Sequence, residues 1–151
     1  MAYTFSKKSL KKLEGVDDKL VGLAEMAISV SDVDFGITEG LRSKERQQML
    51  YDTKRSQTLN SKHIVGRAID VVAWIGKEPC WELAVYDDIA DAFAMASRAH
   101  NVPLKWGCAW TVSDIGTWNG TMEMAMNSYI DIRRSQDRRP FLDGPHFELS
   151  D

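Results

Sequence analysis

The sequence predicts an α+β domain, a small antiparallel sheet with flanking helices. Two long segments place apolar residues at helical spacing, several short segments read as strands, and the two kinds alternate loosely along the chain. No internal repeat, low-complexity tract or Pro/Gly-rich linker marks a boundary, so residues 1–151 are expected to form one domain.

Leu20, Val21, Leu23, Ala24 and Ala27 form an apolar stripe behind Asp17 or Asp18, which predicts a capped helix over about 17–29. Val33 to Thr38 alternates as a strand does. Ser43 can cap a helix running to about Thr53, with Glu45 or Gln47 in its first turn. Val71 to Ile75 is a buried-strand pattern. The strongest helix lies within 82–100, where Leu83, Tyr86, Ile89, Ala90, Phe93 and Ala94 cluster on one side and acidic residues take the other. Leu104 to Trp106 and His146 to Leu149 are short strands, Gly107 to Gly120 a Gly/Thr/Asn-rich loop, and 121–135 a further helix.

Composition removes several function classes. At 44% hydrophobic and 27% charged the chain is near globular averages, and no apolar run approaches the roughly 20 residues of a membrane span, so stable membrane insertion is not expected. The net charge of −3 argues against a nucleic-acid binder, which needs a strongly basic face. The basic N-terminus is not followed by an apolar signal region, and Cys80 and Cys108 are too few for a disulfide framework, so synthesis in a cytoplasm is expected. Two basic clusters, Lys7 to Lys12 and Arg133 to Arg139, read as solvated surface or as contacts to an anionic envelope.

Chemistry concentrates in two segments, Ser61-Lys-His63-Ile-Val-Gly-Arg-Ala-Ile-Asp70 and Asp143-Gly-Pro-His146-Phe-Glu148. Catalytic zinc takes protein ligands of the His and Asp/Glu type and leaves a place for water; His63, Asp70 and His146 are the right number and kind. Asp143 is then free to act as the base. The odd offset from His63 to Asp70 would put them on opposite faces of one straight strand. A two-residue hairpin at Gly66-Arg67 would instead set His63 across from Asp70; a loop-then-strand path could achieve the same meeting. Gly144-Pro145 implies a tight turn that aims His146 from the start of its strand, with Glu148 on the same face, able to orient the imidazole. His100, ending the strongest helix, reads as a helix-end residue outside any site.

At these residues the chain resembles the zinc peptidases that cut peptidoglycan peptides: D-alanyl-D-alanine carboxypeptidases and dipeptidases, and phage endolysins that are L-alanyl-D-glutamate endopeptidases. Gly40-Leu-Arg42-Ser-Lys-Glu-Arg-Gln47 resembles the family's arginine segment, Ser61 to Asp70 its Ser-x-His-x6-Asp segment, and Trp106-Gly107 with Asp143 to Glu148 its C-terminal blocks. The resemblance implies a hedgehog/D-Ala-D-Ala-peptidase-like fold, zinc on His63, Asp70 and His146, a catalytic acid-base at Asp143 and an oxyanion-stabilising Arg42. Trp106-Gly-Cys-Ala-Trp110 departs from the Trp-Gly-Gly-Asp-Trp of many relatives.

With no export signal read in the sequence, the endolysin branch is favoured. It implies a monomer without a separate wall-binding domain, acting on bacterial peptidoglycan and reaching the wall from the host cytoplasm once a holin opens the membrane. The alternatives are a D-Ala-D-Ala carboxypeptidase or dipeptidase, and a non-catalytic zinc-bearing binding module like the hedgehog signalling domain.

Overall fold

The structure, a computed structural model, describes residues 2–150. Its helices start where side chains can accept from free backbone amides. Ser6 caps α1 (Lys7–Lys12), Asp17 caps α2 (Asp18–Val30), Ser43 caps α3 (Lys44–Asp52) and Thr121 caps α5 (Met122–Ser135). The longest helix, α4 (Leu83–His100), has no side-chain cap and ends on Asn101 in the left-handed conformation.

Five strands, β1 (Asp34–Glu39), β2 (Ala68–Ile75), β3 (Glu78–Cys80), β4 (Leu104–Trp106) and β5 (His146–Leu149), form one antiparallel sheet of order β1-β2-β5-β4, with β3 on the far end of β2. The sheet and helices together give the α+β class expected from the sequence. Strand β2 is central because nearly every side chain along it is apolar and buried, from Ala68 through Ala73. The core lies between sheet and helices. Helix α4 packs on α2 and delivers Phe93 to the sheet, where it stacks on Phe147 with ring centroids 4.0 Å apart and meets Phe35 at 5.6 Å. That aromatic file makes β5 a rigid platform, with His146 at its first position.

Sheet register fixes what faces the cleft. Asp70 of β2 pairs directly with His146 of β5, and Ala68 with Glu148. Directly opposed side chains start about 5 Å apart. On the other edge a bulge between Ile37 and Glu39 sets Glu39, not Thr38, against Asp70. One extra residue in β1 thus re-aims a carboxylate toward the site.

The Gly66-Arg67 hairpin does not form. Residues Lys62–Val65 make a 3-10 helix capped by Ser61, and Gly66 ends it in the left-handed conformation at φ 71° before β2 begins at Ala68. The loop-then-strand path is the one taken. A left-handed glycine suits a helix C-cap as well as a hairpin turn, and the polar Ser61-Lys62 start favours the capped turn. Two short elements lie outside the sequence expectations: α1, within the basic Lys7 to Lys12 cluster, and β3. Within the 107–120 loop, Ile115–Thr117 form a 3-10 turn capped by Asp114.

Candidate metal centre

His63 is fixed from behind by the chain that carries Arg42. Its Nδ1 lies 2.8 Å from the carbonyl oxygen of Gly40, and the Arg42 amide donates back to the His63 carbonyl at 2.9 Å. Gly40 is needed at this crossing because a Cβ there would lie 2.3 Å from the Lys12 carbonyl oxygen. With Nδ1–H donated to Gly40, the ring presents Nε2 as a lone pair. That atom is buried and has no hydrogen-bond partner, although Asp70 Oδ1 is 3.3 Å away. Buried polar atoms left without a partner are uncommon, and this one faces the other two ligand-capable side chains.

His146 completes the group from the sheet. Its Nε2 lies 2.9 Å from Glu148 Oε1, two residues along the same strand face, and its Nδ1 lies 3.2 Å from Asp70 Oδ1. Glu148 in turn pairs with Lys62 Nζ at 3.2 Å. The ligand-capable atoms of His63, Asp70 and His146 all lie within 4.8 Å of one another. Two imidazole nitrogens and a carboxylate oxygen, each held by a neighbour, fit a divalent ion of the zinc kind.

The electrostatics of the three residues suit a cation. Burial alone would raise the Asp70 pKa, but the hydrogen bond from His146 and the imidazoles of His146 and His63 beside it hold its carboxyl far below the usual carboxylate range. Burial would lower the His146 pKa, yet Asp70 and Glu148 overcome it and push it up to about 10. A metal ion would take the place of the Nδ1 proton. Glu148 is held below its ordinary value despite burial, by His146 and Lys62.

Asp143 reaches the same cleft from the turn before β5. The His146 amide donates to the Asp143 carbonyl at 3.1 Å, closing the tight turn expected from Gly144-Pro145. Gly107 clamps this turn: its amide donates to the His146 carbonyl at 2.8 Å, and its carbonyl accepts from the Asp143 amide at 2.9 Å. A Cβ on Gly107 would lie 2.1 Å from the Asp143 carbonyl oxygen, so the approach requires glycine. Burial raises the Asp143 pKa, and the neighbouring Asp70 charge adds to that.

Arg42 is buried and held at each guanidinium nitrogen. Nε pairs with Glu39, Nη1 donates to Gln47 Oε1 at 2.7 Å, and Nη2 lies 3.4 Å from Asp70 Oδ2. Gln47 is itself only 1% exposed, and its Nε2 donates to Ser56 Oγ at 2.9 Å and to the Thr58 carbonyl. Burial would raise the Glu39 pKa; Arg46 and Arg42 hold it below its ordinary value. The supporting roles of Glu39 and Gln47 have weak sequence signals: Glu39 is aimed by a bulge, and Gln47 shares the buried face of α3 with Leu50 three positions on.

The structure therefore brings together His63, Asp70, His146, Asp143 and Arg42 along one cleft of about 980 Å³. Trp110 lines it, its ring 5.6 Å from His146 and its Nε1 donating to the Phe141 carbonyl at 3.1 Å. Trp106 instead lies fully buried against Phe147, donating Nε1 to the Gly144 carbonyl at 2.8 Å. Cys108 is fully buried; burial and the adjacent Asp143 push its thiol up to about 12, so it is no nucleophile at neutral pH. His100 ends α4.

Residues 1–150 match the family described as phage L-alanyl-D-glutamate peptidase. The chain is 31% identical over 117 residues to the L-alanyl-D-glutamate peptidase of Escherichia phage T5, covering 75% of this chain and 85% of that protein. It is 29% identical over 113 residues to the L-alanyl-D-glutamate peptidase of Listeria phage A118, covering 73% of this chain but only 39% of the phage A118 protein. Among solved structures, the L-Ala D-Glu endopeptidase ChiX of Serratia marcescens aligns with a TM-score of 0.71 at 32% identity, over 99% of this chain and 90% of that one. On sequence and on fold, the chain belongs to the phage L-alanyl-D-glutamate peptidase family.

Proposed function

We infer that the protein is a zinc-dependent endolysin that hydrolyses the L-alanyl-D-glutamate bond of peptidoglycan stem peptides. The observation that carries the reading is the buried, unpartnered Nε2 of His63 beside Asp70 and His146, in a member of a peptidase family. His63 through Nε2, Asp70 through its carboxylate and His146 through Nδ1 would hold the ion. Zinc, when bound there, supplies Lewis-acid polarisation of the scissile carbonyl and lowers the pKa of a water to about 7.

The chain's own groups do the rest. Asp143 takes the proton of the attacking water and passes it to the leaving D-glutamyl amine; a carboxyl raised by burial is suited to both halves of that transfer. Arg42 offsets the charge that develops on the carbonyl oxygen. Its three fixed contacts leave it preorganised, the condition under which such a donor is worth roughly 3 kcal/mol. Glu148 and the Gly40 carbonyl keep the two imidazoles in their ligating orientation.

We read the enzyme as a monomer, with residues 1–151 as one catalytic domain, made in the host cytoplasm and admitted to the wall by a holin. No helix among the described residues is long and apolar enough to cross a membrane. The test is digestion of purified peptidoglycan with mass spectrometry of the products. New amino-terminal D-glutamyl ends are expected; release of D-alanine alone would assign the site to a carboxypeptidase, and no release at all to a binding module.

A further inference from the structure

The cleft carries positive charge that the metal site does not use. Of its carboxylates, Glu39 is engaged by Arg42 and Arg46, Glu148 by Lys62 and His146, and Asp70 and Asp143 belong to the reaction centre. Arg55, from the loop after α3, and Arg133 and Arg138, from the end of α5 and the loop beyond it, line the same cleft. Among the described residues none of these three guanidiniums has a carboxylate partner. Arg55 donates to Thr53 Oγ1 at 3.3 Å and to Met49 Sδ at 3.5 Å, Arg133 donates Nε and Nη2 to the Arg139 carbonyl at 3.1 and 3.0 Å, and the Arg138 side chain makes no hydrogen bond among the described residues. Composition does not explain this surplus, because the chain as a whole is net −3.

We propose that Arg55, Arg133 and Arg138 are specificity determinants that take the carboxylates on the leaving side of the scissile bond. This rests on the peptidase reading above. In a stem peptide the D-glutamyl residue is linked onward through its γ-carboxyl, so its α-carboxylate stays free, and the diamino acid that follows can carry another. The alanyl side, amide-linked toward the glycan, is neutral. The substrate is therefore anionic on one side of the cut only. Guanidiniums supplied by two separate segments of the cleft lining select that side and orient the peptide, and Arg is the side chain best suited to planar carboxylates.

The test compares two synthetic N-acyl-L-alanyl-γ-D-glutamyl-diamino acid peptides, one with free carboxylates and one with the D-glutamyl α-carboxyl and the diamino acid carboxyl amidated. The zinc-loaded full chain is expected to favour the free acid by about 10-fold or more in kcat/KM, mainly through KM, with a preference that falls as salt rises. The doubly substituted Arg55→Gln/Arg138→Gln protein alters two exposed side chains and spares Arg133, which braces the backbone. It is expected to lose most of the preference by a rise in KM for the acid, while kcat and cleavage of the amide stay unchanged. Equal cleavage of both peptides by the unaltered protein, or an undiminished preference in the double variant, overturns the assignment. If neither peptide yields a D-glutamyl amine, the peptidase reading itself fails, and this inference with it.

Discussion

Replacing Gln47 by Leu tests whether Arg42 is held for catalysis or merely buried. Gln47 makes three side-chain hydrogen bonds, to Arg42 Nη1, Ser56 Oγ and the Thr58 carbonyl. Leucine has similar volume, so the cost lies in the partners left behind. Ser56 and Thr58 sit in a largely exposed loop and can turn to water, whereas Arg42 is 8% exposed and would keep a charged donor with nothing to receive it. A hydrogen bond to a charged group is worth about 1.5–3 kcal/mol, so a loss of about 2–3 kcal/mol is expected overall. For a chain of this size that lowers Tm by roughly 4–12 °C. If Arg42 is one preorganised donor of about 3 kcal/mol, losing one of its three holds should cost about half of that, or about 10-fold in kcat at little change in KM. Gln47→Glu separates the functions, because it keeps an acceptor for Arg42 but sets a carboxylate against the Thr58 carbonyl: kcat should recover more than Tm does. The assay pairs thermal denaturation with peptide hydrolysis below the melting range. A lowered Tm with kcat unchanged within 2-fold would refute the link between Gln47 and the catalytic arginine.

Other perturbations separate the remaining roles. Asp143→Ala should keep zinc and fold while wall lysis falls by at least about 100-fold; unchanged lysis would remove Asp143 from the reaction. Gly107→Ala places a methyl 2.1 Å from the Asp143 carbonyl oxygen. It should destabilise the contact between Gly107 and the turn before β5 by about 1–3 kcal/mol or more, on the order of a core overpacking, and a variant with wild-type Tm and activity would contradict the close approach. Stability should also respond to pH through Asp87, a buried carboxyl on α4 raised to about 6 by burial and by Asp88, Asp91 and Glu123 around it. Its folded pKa lies above its unfolded one, so its protonated form favours the fold at low pH. That advantage is lost as pH rises from about 4 to about 6, on the order of 3 kcal/mol. Asp87→Asn should therefore raise Tm at pH 7.5 and leave it nearly unchanged at pH 4; equal shifts at both would exclude the titration.

What the sequence made legible was whatever local chemistry decides. Asp17 and Ser43 announced their helices as caps, and Phe93 in its apolar stripe announced α4 as the core helix. The strands Leu104–Trp106 and His146–Leu149 were readable from their apolar residues and from the Gly-Pro turn before His146. Gly66 leaves the hairpin and the loop-then-strand path both open in the sequence, because a left-handed glycine serves hairpins and helix ends alike, and only packing against Gly15 and the Asp17 amide decides between them. Helix α1 escaped notice because only Ser9 of its residues is buried, holding the Ile37 amide at 3.0 Å, so no apolar stripe marks it. The set proposed to hold the metal, His63, Asp70 and His146, was legible from residue type and from the resemblance of their segments to a zinc-peptidase family, and their ligand-capable atoms lie within 4.8 Å of one another. The supports of Arg42 were not: Glu39 owes its aim to a bulge, Gln47 its burial to the 56–58 loop, and both depend on partners distant in the chain.

The claim on which the account turns is that His63, Asp70 and His146 hold a zinc ion without which no bond is cut. Elemental analysis of the active protein, run beside its chelated form and His63→Ala and coupled to detection of D-glutamyl ends, measures this directly. One zinc per chain is expected, lost together with activity on chelation, regained together on zinc add-back, and absent from His63→Ala. Full production of D-glutamyl ends by protein shown to be free of metal would contradict it.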